Sequence, residues 1–167
     1  MKFATPLPID AVLEELRTAL AARASAVLVA PPGAGKTTRV PLALMEESWL
    51  HGRKILVLEP RRIAARAAAD RMAHSLSEGV GEHIGLRARM VSKSGPSTRI
   101  EVVTEGVFTR MILDDPELSD VGAVLFDEFH ERSLDADLGL ALALDCQRGL
   151  RNDLRILPMS ATLVPDI

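Results

Sequence analysis

The sequence predicts an α/β domain, a mostly parallel sheet with helices on both faces. Three observations lead there. Short apolar runs recur at 26–30, 54–59, 99–104, 121–126 and 154–160. Stretches of helical periodicity separate them, and the polar, glycine-bearing segments follow the carboxyl ends of the runs. Continuous apolar runs suit strands buried on both faces, and their alternation with helices is the pattern of parallel β-α units. At 167 residues, with 47% apolar and 26% charged, the chain suits one globular domain. It contains no internal repeat, low-complexity tract or linker.

Ile9, Leu13, Leu16 and Leu20 fall at helical spacing behind Asp10, a suitable N-cap, so residues 10–23 read as an amphipathic helix. AVLVA at 26–30 reads as a buried strand that runs into PPGAGKTT, a glycine turn opening a helix. Pro41 lies inside that helix, which should end near Glu47. KILVLE at 54–59 is the next strand, and Pro60 introduces an alanine-rich helix. Residues 79–99 carry scattered Gly, Ser and Pro around one possible short strand, HIGLRARMV. RIEVVT at 99–104 is a strand followed by a short helix, GVFTRMILDD. VGAVLF at 121–126 is a strand ending at Asp127 and Glu128. A helix starts near Leu134 with Asp135 and Asp137 in its first turn, where they suit its dipole, and Gly149 is its expected C-cap. LRILPMS at 154–160 completes the series.

Composition excludes several classes. The single cysteine, Cys146, can form neither an internal disulfide nor a Cys-based zinc site, and its apolar surroundings mark it as a small core residue. No apolar run approaches the roughly 20 residues of a membrane span, and the first ten residues lack a secretory apolar stretch, so the expected location is the cytoplasm. Net charge is −3, so any contact with nucleic acid must come from a few placed side chains. Four phenylalanines, one tryptophan and no tyrosine argue against a base-stacking platform, which leaves the phosphate backbone as the target.

Residues 30–37, APPGAGKT, fit the spacing GxxxxGK[ST] with alanine first. Gly33 and Gly35 permit a tight turn that aims backbone N–H groups at phosphate oxygens, and the following helix adds its positive N-terminal end. Lys36 supplies a point charge for the β and γ phosphates, and the Thr37 hydroxyl can ligate Mg²⁺. The candidate cradle is thus Pro32, Gly33, Ala34, Gly35, Lys36, Thr37 and Thr38. A glycine-rich β-α turn with an incidental lysine is the plainer alternative. DEFH, 90 residues on, argues against it: Asp127 at a strand end can hold Mg²⁺, and Glu128 can orient or deprotonate an attacking water. Two such carboxylates alone could merely cap the next helix; together with the cradle they complete an ATP and Mg²⁺ site.

These residues resemble the first RecA-like domain of the superfamily 2 DEAH-box helicases, and within them the bacterial HrpB type. The likeness spans almost the whole chain. LPID precedes the first helix as in that family. APPGAGKTT resembles motif I, EPRRIAARAAADRMA motif Ia, TEG (104–106) motif Ib, DEFHER motif II and SAT (160–162) motif III. Phe129 departs from the alanine usual in the DEAH signature. The resemblance implies a RecA-like P-loop NTPase domain in which Arg61, Arg62 and Thr104 touch a nucleic-acid backbone. It also implies that His130 acts beside Glu128 and, with Ser160 and Thr162, links ATP state to domain closure. Two arginines at a helix N-terminus oppose its dipole, which itself suggests an external anion; two solvated arginines are the plainer alternative. His51, His74 and His83 receive no role.

Other functions fit less well. A P-loop kinase would not need SAT or PRR, and a GTPase should carry a guanine-reading NKxD segment, whereas the only asparagine is Asn152. A non-catalytic nucleotide-binding module would not need Lys36, Asp127 and Glu128 intact. A DNA-directed translocase shares these motifs. The sequence stops soon after SAT without the arginine-bearing QxxGRxGR pattern of a second RecA-like domain. The expectation is therefore that residues 1–167 are the first RecA-like domain of a longer helicase. It should bind ATP, Mg²⁺ and single-stranded RNA, yet turn over slowly without the second domain of the same chain.

Overall fold

The computed structural model describes residues 3, 5–32 and 34–161. Gly33 and Thr162, both assigned to the candidate site, lie outside the described residues. Among the described residues the strands are β1 (Leu28–Val29), β2 (Lys54–Glu59), β3 (Ile84–Ala88), β4 (Val91–Lys93), β5 (Ile100–Thr104), β6 (Val121–Phe126) and β7 (Arg155–Ser160). They form one sheet in the order β1-β7-β6-β2-β5-β3-β4, parallel except for β4, which pairs antiparallel with β3.

The helices are α1 (Leu13–Ala22), α2 (Lys36–Leu44), α3 (Arg62–Ser75), α4 (Glu105–Asp114) and α5 (Leu134–Gly149). Period-two alternation divides each central strand between two cores. Ile55 and Val57 of β2 join the core built with α1, α2 and α3, whereas Leu56 and Leu58 join the core built with α4 and α5. Each such side chain is fully buried, a contribution of about 1.5–3 kcal/mol apiece before entropy is counted. The apolar runs are continuous because both faces of the sheet are covered.

The helices owe their positions to small residues at helical spacing. Ala65, Ala68, Ala69, Met72 and Ala73 are the buried face of α3. On α5 the buried line is Ala136, Gly139, Ala143 and Cys146. A Cβ at Gly139 would come within 3.3 Å of the Phe108 ring, so its absence lets α4 and α5 approach closely. Cys146 is the buried core residue expected. Ser133 caps α5, its Oγ accepting from the Ala136 N–H at 2.9 Å.

Several expectations about element ends are corrected. Asp10 does not cap α1: it sits inside a 3-10 turn, Pro8–Val12, whose N-cap is Leu7, and its carboxylate accepts the Leu7 N–H at 2.9 Å. The segment 26–30 yields only two strand residues and lies at the sheet edge, which leaves Val29 41% exposed. Helix α2 passes through Pro41 and ends at Leu44, not Glu47; a second 3-10 turn, Ser48–Leu50, takes over. Gly149 is the last helical residue and Leu150 the C-cap. Residues 79–99 contribute two strands where one was anticipated. No helix among the described residues is long and apolar enough to cross a membrane.

Candidate functional site

The carboxyl ends of β1, β2, β5, β6 and β7 bring the sequence motifs to one edge of the sheet, where open parallel sheets collect ligands. After β1 the chain turns through the glycine loop into α2. Gly35 is the N-cap of α2 in the left-handed region, φ +96°, and a Cβ there would stand 2.6 Å from Leu7 Cδ1. Only glycine meets both conditions without strain. The LPID segment braces this loop from below. The Ile9 N–H donates to the Ala34 carbonyl at 3.0 Å, and Asp10 accepts from Arg39 Nη1 at 3.0 and 2.8 Å. Arg39 also reaches the Thr5 carbonyl and stacks over Phe3.

Lys36, the first residue of α2, is 4% exposed. Thr37 follows, and its hydroxyl donates to Asp127 Oδ2 at 2.8 Å across 90 positions of sequence. Asp127 is itself 4% exposed, and its other oxygen, Oδ1, is buried without a donor. The Thr37 hydroxyl and the strand-end carboxylate thus meet, with Lys36 buried one residue before. A threonine hydroxyl beside a carboxylate with a free, dry oxygen is a hard-oxygen donor set that suits Mg²⁺. Glu59, at the end of β2, stands next to Asp127. Its carboxyl is pushed up to about 10, first by burial and then by its hydrogen bond to Asp127 and the charges of Asp127 and Glu128.

Beyond Asp127 the backbone turns sharply. Glu128 takes φ +55° and Arg132 φ +46°, flanking a 3-10 turn, Phe129–Glu131. Phe129 stabilises this turn by packing edge-on against Phe126, ring centres 6.1 Å apart, while Arg132 lies over its other side. An aromatic therefore anchors the turn where the related signature has alanine. His130 Nδ1 accepts the Ala161 N–H at 3.0 Å. That bond leaves the neutral ring proton on Nε2, which faces Glu128 Oε2 at 3.3 Å. His130 so connects the carboxylate after β6 to the SAT segment after β7. Ser160, the last residue of β7, is buried, and its carbonyl accepts the Ala30 N–H at 3.0 Å.

The arginines separate. Arg61 is the N-cap of α3 and donates from Nη2 to both oxygens of Glu131, each at 2.7 Å, so an internal anion already meets the charge attributed to an external one. Arg62, the first residue of the helix, is exposed. Thr104 is the N-cap of α4 and half-buried, making no side-chain capping bond. Sequence reasoning missed three features: Glu59, Glu131, and Glu105, which accepts the Ser133 hydroxyl at 2.9 Å and so joins TEG to the DEFHER loop. The runs EPRR and DEFHER contain the first two, but only the strand register shows which residues they face.

This sheet, glycine loop and strand-end carboxylate define a RecA-like domain of the P-loop class. Comparison with known proteins narrows it. A family model described as DEAD/DEAH box helicase matches residues 11–167, and the chain belongs to that family. It is 58% identical over 160 residues to the ATP-dependent RNA helicase HrpB of Escherichia coli, covering 96% of this chain and 20% of that protein. It is 35% identical to the ATP-dependent RNA helicase HrpA of Borreliella burgdorferi, over 94% of this chain and 19% of that one. A crystal structure of the E. coli DExH-box NTPase HrpB superimposes with a TM-score of 0.93 at 55% identity, covering 99% of this chain and 20% of that one. The chain thus spans about a fifth of the length of these relatives.

Proposed function

We propose that residues 1–167 are the first RecA-like domain of an ATP-dependent RNA helicase, binding ATP with Mg²⁺ at the carboxyl edge of the sheet and a nucleic-acid backbone beside it. The observation that carries this reading is the 2.8 Å contact between Thr37 and Asp127, with the second Asp127 oxygen left dry and without a donor. The names of the relatives, ATP-dependent RNA helicases, supply the nucleotide and favour RNA over DNA. Mg²⁺ bound there would offset the charge of the β and γ phosphates. Lys36 and the backbone from Pro32 to Thr38 would hold those phosphates at the positive end of α2. Thr37 and Asp127 would hold the metal.

Glu128 is the group placed to accept a proton from water, and His130, through its Nε2–H, keeps that carboxylate oriented. The Nδ1 bond to Ala161 ties the same imidazole to the SAT segment, which supports a role in transmitting ATP state for His130, Ser160 and Thr162. Arg61, Arg62 and Thr104 lie at the ends of β2 and β5, where a strand of RNA could track past the site. A second RecA-like domain of the same protein would complete the phosphate pocket, and an arginine finger from such a domain is worth about 10³- to 10⁵-fold in turnover.

The test is a fluorescent-ATP titration with Mg²⁺. Residues 1–167 should bind the nucleotide, while Lys36→Ala should lose measurable affinity and keep its circular dichroism spectrum. Unchanged affinity in that variant would remove the cradle from the assignment.

A further inference from the structure

The loop from Glu128 to Ser133 begins with the carboxylate assigned to the nucleotide edge and ends against the segment assigned to nucleic acid. Its last residue serves two helices at once. Ser133 Oγ accepts the Ala136 N–H at 2.9 Å, which caps α5, and the same hydroxyl donates to Glu105 Oε1 at 2.9 Å. Glu105 is the first residue of α4, directly after Thr104, and is 9% exposed. Further along α4, Phe108 packs edge-on against Phe126, and Phe126 against Phe129, ring centres 6.1 Å apart in each pair. Helix α4 is thus fixed to the loop at its middle by aromatic rings and at its first turn by a hydrogen bond. Of the two, the first-turn contact lies next to Thr104, whose own side chain makes no capping bond.

We propose that Glu105 is a positioning residue: by accepting the Ser133 hydroxyl it ties the first turn of α4, and Thr104 with it, to the loop that carries Glu128, so that nucleotide binding and RNA binding are energetically coupled through this bond. The inference rests on the proposed readings of Glu128 as facing the nucleotide and of Thr104 as a nucleic-acid contact. Residues 129–131 form a 3-10 turn between Glu128 and Arg132, both at positive φ, so the loop has little slack to absorb a shift at either end. A displacement that follows nucleotide binding therefore moves the first turn of α4 or breaks the bond, and breaking it strands a buried acceptor. Charge is not required, because an amide oxygen accepts a hydroxyl proton as a carboxylate does.

Two substitutions remove the bond and two arrangements keep it. Ser133→Asp still caps α5 but offers no donor, and Glu105→Met removes the acceptor while the serine cap stays. Glu105→Gln keeps the acceptor. Glu105→Gln combined with Ser133→Asp remakes the bond in reverse, the glutamine amide donating to the new carboxylate. Affinity for a fluorescent oligouridylate would be measured by anisotropy at low salt, with and without Mg²⁺ and a non-hydrolysable ATP analogue; the ratio of the two affinities is the coupling factor. We expect a factor of about fivefold or more in wild type, near one in Ser133→Asp and Glu105→Met, and within about twofold of wild type in Glu105→Gln and the double variant. Nucleotide affinity without RNA should be unchanged in all four. Should Ser133→Asp not fold, Glu105→Met carries the same expectation. Wild-type coupling in a variant that has lost the bond would reduce the pair to a helix cap, and a double variant no better coupled than Ser133→Asp would show that the bond does not carry the effect. A factor of one in the wild type overturns the proposal and leaves both sites standing. Oligouridylate that does not bind the wild type at low salt removes the nucleic-acid reading itself, and the proposal with it.

Discussion

Two clusters at opposite ends of the sheet, around Arg151 and around Asp127, treat charge in opposite ways. At the amino end of β6 and β7, Arg151 is 8% exposed and every direction of its guanidinium is used. It donates to the carbonyls of Glu117, Leu118 and Val121 at 3.1, 2.9 and 2.9 Å and to Asp153 Oδ1 at 2.8 Å, while Arg53 meets Asp153 from the other side. Asp153 is consequently held down to about 2, chiefly by its hydrogen bond to Arg151. At the carboxyl end Glu59, Asp127 and Glu128 crowd together, two buried oxygens lack donors and Glu128 sits at positive φ. The Arg151 cluster resolves its charges within the protein. The other is left with negative charge, a donorless oxygen and a strained turn, the condition expected of the proposed cation and phosphate site.

Removing the amino-end arginine should give the largest effect. Arg151→Ala takes a buried donor from three carbonyls and leaves Asp153 with Arg53 alone, a loss of about 1–3 kcal/mol in unfolding free energy. Urea unfolding would read it as a lower midpoint with little change in slope. The fraction that stays folded should bind nucleotide with wild-type affinity, because no contact of Arg151 reaches the other edge. A stability loss below about 1 kcal/mol would mean that water replaces the guanidinium and that the two ends differ less than their contacts suggest.

The pH dependence of stability should also split by end. Glu59 is raised from 4.5 to about 10, so between those values the native protein holds a proton that the unfolded chain has lost. Its contribution is complete below pH 4.5 and is lost as pH rises toward 10. Asp153 runs the other way: lowered from 3.8 to about 2, it contributes above pH 3.8 and is lost as pH falls through 2. One proton sets the limiting slope at about 1.4 kcal/mol per pH unit. Thermal melts in EDTA should show the alkaline decline reduced in Glu59→Gln and the acid decline reduced in Asp153→Asn. An alkaline limb identical in wild type and Glu59→Gln would show that the carboxyl end carries no such proton.

The same contrast explains what could be read from sequence. That Thr37 and Asp127 would meet was legible because the phosphate and metal chemistry proposed for them admits few residue types at the end of a strand, and the helix and strand periods around them are strong. The β3–β4 hairpin was half legible. Its two-residue turn is Arg89 and Met90, and Met90 takes φ +66° without the glycine or asparagine that usually announces such a turn. Strand β4 is three residues long with Ser92 and Lys93 exposed, too short for a period to show. Glu59 could not be identified because an acid before Pro60 resembles any strand exit; its meaning comes from the register of β2 against β6. Asp10 reads as a cap by type and spacing, but Arg39 and the Leu7 N–H draw its carboxylate elsewhere.

The smallest expected effect concerns Arg61, whose side chain is 64% exposed and paired with Glu131. Unlike Arg151, which is committed to carbonyls in a dry site, Arg61 faces solvent and can exchange one anion for another. On the proposed nucleic-acid reading, an RNA phosphate and Glu131 compete for the same guanidinium, so Glu131→Gln should strengthen single-stranded RNA binding by a small factor at low salt. Arg61→Ala should weaken it and reduce the log-log salt slope by about 0.7, the share of one phosphate contact. The double variant separates competition from a general loss of negative charge. If Glu131 acts through Arg61, the gain from Glu131→Gln disappears once Arg61 is alanine. If the gain persists in the double variant, Glu131 repels RNA on its own account, and the arginine is as fully engaged inside the protein as Arg151.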